Sequence, residues 1–587
     1  MSVATALRPE TAAEVPRYVT RRTWPWPRVA LIAICAVQIA LAVRPGSTRT
    51  PFEDEGLYVY MGHRMIDHLL HGTLLTEYPG AYFSGAPGFY PVLAALGDRL
   101  GGIQGARAVS LLFALGATVS VNGLGRQLFS RGAGLLGAGA FVLCGSVIYQ
   151  SHLATYDSTT LFFVAAAAWL TVYSVGHDRF VWAPAVAALL VAAFYAKYAG
   201  AVYIPVVAAL AVTVAPRRDR LIVARGVLVM IISAVVLAYF IFALWGESLR
   251  EGIIITTTSR TVLQPAHASL LIHQVMRWVG PWLALAVLGA LVSRRRWAVT
   301  GVLLFGSLVG PLDQIRIGEA TSLAKHCAFG MIFAGPLVGA LLAWLIRRLR
   351  VVTVPTVALA FAVLGASGLT YSHQFLTGWP DDTALLPVLT RLIAASPGKP
   401  ILGEEPAAEH YALRTTTYPL QWNDTFSFSY DHQTGLSAYK NAIGQTSFGV
   451  IYLQRTFYAG QHTGRYAFSP SAYGADVYEY LTTVSTPYRL VRTVNLVEQG
   501  KVTGDWYIFI PKAVPTGAGS QSVPQRPART KRSTPITSRP LAPRVVTAPR
   551  RTETPLLVPQ RPLLVTTWKP EADTGVTPMP VAPRSGR

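Results

Sequence analysis

Long apolar runs that stop at clusters of arginine leave this chain few folds to choose from. Arg217, Arg218 and Arg220 close one run, Arg294 to Arg296 a second, and Arg347, Arg348 and Arg350 a third. Repeated apolar stretches of this length belong in a bilayer, and basic residues collect on the side that is not translocated. With 51% hydrophobic and only 14% charged residues, the sequence predicts a polytopic α-helical membrane protein. The positive-inside pattern also explains much of the net charge of +22, which would otherwise suggest a nucleic-acid partner. No nucleic acid is expected. Cys35, Cys144 and Cys327 lie far apart in apolar runs, so they read as small buried residues, with neither a disulfide framework nor metal spacing.

Taken in order, residues 1–28 read as a cytoplasmic N-terminus, because Arg17, Arg21, Arg22 and Arg28 precede the first apolar segment. No small-residue cleavage site follows, so 29–43 is expected to stay as a first span with Trp24 and Trp26 at the interface. A long first outer loop, 44–105, would contain an amphipathic segment, then Gly85-Ala86-Pro87-Gly88, then an apolar helix from Phe89 to Leu100. Further spans are expected at 106–125, 132–149 and 158–175, then in a hairpin over 182–214 turning near Tyr195 to Tyr198, then at 221–244, 274–292, 297–312, 327–346 and 352–371. That makes about eleven spans within 29–372, with every basic cluster inside and every acidic or mixed-charge loop outside.

Residues 380–510 differ in character. Ile401-Leu402, Val450 to Tyr452 and Trp506 to Ile510 read as buried strands, while 404–413 and 472–482 read as helices. This predicts an extracytoplasmic α/β domain, with Tyr411, Trp422, Phe426, Phe428 and Tyr430 serving its core rather than stacking on sugars. From 511 to 587 the chain has 15 of its 40 prolines, and 13 Lys and Arg against 3 Asp and Glu. Such a Pro-, Arg- and Thr-rich tail is predicted to be disordered. Internal repeats of the kind that build many transporters are not evident.

The chemistry concentrates at one level. Glu53-Asp54-Glu55 opens a helical pattern (Leu57, Met61, Met65) just past the first span. Asp157, Lys197, Lys325 and His326 also map to outer ends of spans. Carboxylates beside a bilayer are costly and suggest chemistry, although a first helical turn also favours them for its dipole alone. An ion path would need ionisable groups stepping through the membrane. A single layer of acids and bases suits instead a lipid substrate whose head group lies at that face.

The order Glu53-Asp54-Glu55-Gly56-Leu57-Tyr58, then Pro87, then Arg107 at the start of a span, then Thr155-Tyr156-Asp157 before another, resembles the GT-C superfamily of membrane glycosyltransferases. It is most similar to the branch with protein O-mannosyltransferases and lipid A aminoarabinose transferases. The resemblance covers about 50–350. It implies a plasma-membrane hexosyl- or pentosyltransferase, mannosyltransferase-like, using a polyprenyl-phosphate sugar as donor and a protein, lipid or polysaccharide as acceptor. By that resemblance Asp54 is the general base, or orients a divalent metal with Asp157 as the second ligand. Glu55 positions the acceptor or the loop, and Asp157 completes the site. Lys197, Lys325 and His326 bind the donor phosphate. The chain departs from the family at Gly85 to Gly88, where a basic residue and two prolines are often found. One base and no evident covalent nucleophile point to inverting single displacement. The alternative is a non-enzymatic envelope protein or a transporter of lipid-linked sugars on the same scaffold.

Overall fold

The computed structural model describes residues 26–43, 50–75, 83–175, 182–216, 219–258, 266–320, 322–349, 353–376, 379–426, 428–456, 473–483, 485–498 and 500–512. The expectations for the N-terminus before Trp26, for Arg217, Arg218 and Arg350, and for the tail from 513 lie outside the described residues. All described residues fall within one unit, Met1–Val514.

The first part of the chain is helical. Helix α1 (Trp26–Ala42) is followed by α2 (Glu53–His71), α3 (Tyr90–Leu128), α4 (Arg131–Leu143) and α5 (Gly145–His152). Next come α6 (Tyr156–Val175), α7 (Trp182–Ala196), a 3-10 turn (Tyr198–Tyr203), α8 (Ile204–Val214) and α9 (Arg220–Ile253). The bundle closes with α10 (Ala268–Trp278), α11 (Gly280–Val292), α12 (Trp297–Ile317), α13 (Leu323–Leu349) and α14 (Thr353–Leu376). Six of the described helices are long and apolar enough to cross a membrane, and two bent pairs raise this to eight. The pairs are α4 with α5, bent by 68°, and α10 with α11, bent by 73°. The 132–149 segment is therefore a broken helix, with Cys144 extended at φ −69°, ψ 129° where the two pieces meet. Residues α1, α7 and the Tyr198–Val214 segment are apolar but shorter.

Burial sorts these helices by role. Helix α13 is the axis: 83% of its apolar window is buried, against 11% for α9 and 17% for α14. It is crossed closely by α4 because both present small residues. A Cβ on Gly339 would stand 1.9 Å from the Ala133 carbonyl oxygen, an approach that small-residue faces permit in membranes. Helix α1 is tied in by polar bonds: Thr118 donates to Gln38 (2.6 Å), and Gln38 donates to Ser151 (3.1 Å). Gly101 and Gly102 break α3 with non-helical dihedrals, which separates the expected Phe89–Leu100 helix from the span after it.

The C-terminal part is α/β. It contains α15 (Leu386–Ala395), β1 (Ile401–Gly403), α16 (Ala407–Ala412), β2 (Trp422–Asn423), β3 (Ser429–Tyr430), β4 (Gln433–Thr434), α17 (Gly435–Gly444), β5 (Val450–Thr456), α18 (Gly474–Thr483), β6 (Tyr488–Glu498) and β7 (Lys501–Pro511). The five-stranded sheet runs β2-β1-β5-β7-β6, parallel in its first three strands and antiparallel across β5-β7-β6. Strand β6 has no counterpart among the strands expected from the sequence, because only Tyr488 and Leu496 along it are buried and its apolar signal is weak. Phe428 stacks on Tyr439 with ring centroids 4.9 Å apart, an aromatic in the core as expected.

Candidate active site

The acidic stretch opens α2. Phe52 enters extended, and Glu55 turns back to accept its N–H at 3.0 Å. Glu55 is fully buried and also accepts from Arg107 Nε (2.8 Å), Arg107 Nη2 (2.7 Å) and the Ala154 N–H (2.7 Å). One carboxylate thus fastens α2 to α3 and to the loop before α6. Burial alone would raise its pKa, but Arg107 and the two backbone donors outweigh burial and hold it below the ordinary range.

Asp54, one residue earlier, faces elsewhere and is 29% exposed. It pairs with the ammonium of Lys325, in the first turn of α13. Lys325 also lies 3.7 Å from Asp157, in the first turn of α6. Asp157 accepts from Lys197 at 2.5 Å, and His326 lies buried beside Lys325. Four residues from four segments thereby form a continuous chain of alternating charge: Asp54, Lys325, Asp157, Lys197. Aromatic faces flank it, with Lys197 5.3 Å from the Tyr156 ring and Lys325 5.6 Å from the Phe52 ring. Tyr156 in turn packs on Tyr58, centroids 4.4 Å apart.

The Gly85-Ala86-Pro87-Gly88 stretch has a definite task in holding Lys197. The Ala86 N–H donates to the Tyr195 carbonyl and the Tyr198 N–H to the Ser84 carbonyl, each at 2.7 Å. These bonds bracket Lys197. A Cβ on Gly85 would lie 2.1 Å from the Ala196 carbonyl oxygen, so only glycine allows the two backbones to meet.

Asp54 and Asp157, the carboxylates expected to hold a divalent metal, both lie beside the Lys325 ammonium. Among the described residues no group of three or more His, Cys, Asp or Glu is gathered to hold a metal ion.

A second group of carboxylates gathers around Glu53, and no local sequence pattern marks its members from the α/β part. Glu53 is pushed up to about 8 by burial and by Asp54 and Asp424, against the pull of Lys325. Glu405 is likewise raised by burial and by Glu53, Glu404 and Glu409, Glu409 by burial and Asp382, and Asp382 reaches about 7 through burial and Asp381. Most of these acids belong to the α/β part, which is seated directly on α2. A Cβ on Gly56 would be 2.6 Å from the Ala407 carbonyl oxygen. His410 packs between Tyr60 (3.9 Å) and Trp422 (5.3 Å), and burial with nearby Arg64 lowers its pKa to about 3, leaving it neutral. Asp98 of α3 accepts from His63 (2.7 Å), Arg414 (2.8 Å) and Tyr411, locking the same junction. No local sequence signal joins residues so far apart in the chain.

A helical bundle with an α/β part, polar at one end through paired carboxylates and lysines, defines a class of multi-pass membrane protein. Residues 87–245 match the family described as dolichyl-phosphate-mannose-protein mannosyltransferase. No curated protein matches the sequence. Among solved structures, ArnT from Cupriavidus metallidurans bound to undecaprenyl phosphate is similar with a TM-score of 0.51 at 16% identity, covering 85% of this chain and 100% of that one. The apo state of the same protein gives 0.50 at 16% identity, over 82% and 97%. The oligosaccharyltransferase AglB from Archaeoglobus fulgidus, in complex with an inhibitory peptide and a dolichol-phosphate, gives 0.45 at 13% identity, over 70% and 61%. The chain thus spans less than two thirds of that last protein. The fold is thus the one seen in the ArnT structures, and residues 87–245 carry the family match.

Proposed function

We propose that this protein transfers a sugar from a polyprenyl-phosphate donor to an acceptor hydroxyl at the outer face of the plasma membrane, by single displacement with inversion. The observation that carries this reading is the Asp54-Lys325-Asp157-Lys197 chain, assembled from α2, α13, α6 and the turn after α7. The family match to dolichyl-phosphate-mannose users and the fold shared with an undecaprenyl-phosphate-bound relative support the donor class.

In this reading the donor phosphate enters between Lys197 and Lys325, with His326 alongside. It competes with Asp54 for the Lys325 ammonium and leaves that carboxylate for the acceptor. Asp54 then takes the hydroxyl proton as the acceptor oxygen bonds to the anomeric carbon. The carbon–oxygen bond to phosphate breaks, its electron pair leaves with the polyprenyl phosphate, and the lysines stabilise the charge that develops there. Asp157 keeps both lysines in place. Glu55 positions the loop, because all its acceptor capacity is spent on Phe52, Ala154 and Arg107.

Eleven spans fit this role: the six long helices, the two bent pairs, and three shorter apolar helices at Trp26–Ala42, Trp182–Ala196 and Tyr198–Val214. The transferase domain would occupy 29–372 with a cytoplasmic N-terminus, and 380–510 would form an extracytoplasmic domain over the site. Purified protein incubated with labelled undecaprenyl-phosphate sugars and candidate acceptors should move label to an acceptor and release undecaprenyl phosphate. Label that only crosses vesicles, with no transfer, would favour a transporter.

A further inference from the structure

One buried side chain near this site has needs that nothing among the described residues meets. Gln314, in the last turn of α12, is fully buried. Among the described residues neither its Nε2 nor its Oε1 has a hydrogen-bond partner. Buried amides are almost always satisfied, and an unmet one is costly to keep. Its location is informative. Gly310, one turn earlier on the same face of α12, is where a Cβ would stand 2.7 Å from the His326 carbonyl oxygen and 2.7 Å from the Tyr203 hydroxyl. Tyr203 ends the 3-10 turn that begins directly after Lys197. Gln314 therefore lies on the face of α12 turned toward the two segments that present Lys197 and His326.

The chemistry of the unmet pair narrows the ligand. A phosphate oxygen could accept from Nε2 but would leave Oε1 without a donor. A sugar hydroxyl donates and accepts, and two neighbouring hydroxyls match both ends of a planar primary amide. We infer that Gln314 reads the sugar of the donor, as a specificity-determining residue one step beyond the phosphate-binding lysines. This rests on the polyprenyl-phosphate sugar reading above and adds to it the residue that distinguishes a sugar-bearing lipid from the spent carrier.

The test compares Gln314→Met and Gln314→Leu with the parent in detergent. The probes are undecaprenyl-phosphate mannose, undecaprenyl-phosphate arabinose and sugar-free undecaprenyl phosphate, each measured by direct binding. Replacing both unmet polar atoms by an apolar group of similar shape is expected to leave the melting temperature at or above the parent's. Affinity for the preferred sugar-bearing lipid should fall roughly 10- to 100-fold, the effect of losing hydrogen bonds in a buried site. Affinity for sugar-free undecaprenyl phosphate should stay within about twofold, so the variants cease to discriminate. Parent-like affinity for the sugar-bearing lipid in both variants would overturn the inference alone, and would assign the amide to buried water. Equal loss for sugar-bearing and sugar-free lipid would also overturn it, by placing Gln314 against phosphate or in the frame of the site. A parent that binds none of the three lipids would instead overturn the donor reading, and the inference with it.

Discussion

Asp54 and Glu55 are neighbours in sequence that part company in space, and their variants should differ accordingly. Asp54 is partly exposed and bound to Lys325, so Asp54→Asn should fold normally and lose roughly 10²–10⁴-fold in turnover, the scale of a lost general base. Near-parent turnover in that variant would remove the assignment and point to Asp157. Glu55 is spent on four internal bonds, and Glu55→Gln would remove the carboxylate charge that faces buried Arg107. That variant should lose about 3–5 kcal/mol of stability, the usual cost of breaking a buried pair, seen as a lower melting temperature before any assay. Glu53 gives a pH signature. Its pKa is raised to about 8, so the folded state holds the proton more tightly than the unfolded chain does. The stability this contributes is fully present below the ordinary carboxylate range and is lost as pH rises through about 8. Protection of α2 from hydrogen exchange should weaken over that window, and Glu53→Gln should flatten the dependence.

At the scale of elements, the site depends on ends and breaks rather than on helix bodies. Asp54, Asp157 and Lys325 occupy first helical turns, and Lys197 lies between two helices. The 83–86 segment is the least replaceable support, since its two backbone bonds bracket Lys197. Gly85→Ala would place a Cβ at 2.1 Å from the Ala196 carbonyl oxygen, against backbone that cannot rotate away. Binding of undecaprenyl phosphate should fall by at least tenfold in this variant while the helical circular dichroism signal is unchanged. Unaltered binding would mean that Lys197 is not held by this contact.

At the scale of the molecule, the arginine clusters and the polar end of the bundle lead to an orientation that labelling can check. Cysteines placed at Arg295 or Arg348 should resist an impermeant thiol reagent in intact cells, whereas one at Gly435, in the α/β part, should react. Reaction at Arg295 from outside would invert the orientation and move the proposed site to the other face. The α/β part is seated on α2 through Ala407 and His410 and on α3 through Tyr411 and Arg414, so cutting it away should destabilise the segment that carries Asp54 as well as remove a domain.

By itself the sequence determined the class of fold, because apolar run length, arginine placement and helix-opening carboxylates are local and the bilayer reads them locally. It also marked Asp54, Asp157, Lys197, Lys325 and His326 as one layer, since parity of the spans puts their ends at one level. Tertiary structure alone decided who pairs with whom. Lys325 stands 271 residues from Asp54 and bonds it, while Glu55 turns to Arg107, 52 residues away. The same holds for the acids of the α/β part beside Glu53, and for Gln314, whose burial without a hydrogen-bond partner among the described residues leaves no trace in the run around it. Such pairings depend on which helix faces meet, and this is set by side-chain packing and close glycine contacts across the bundle rather than by the hydropathy of any one segment.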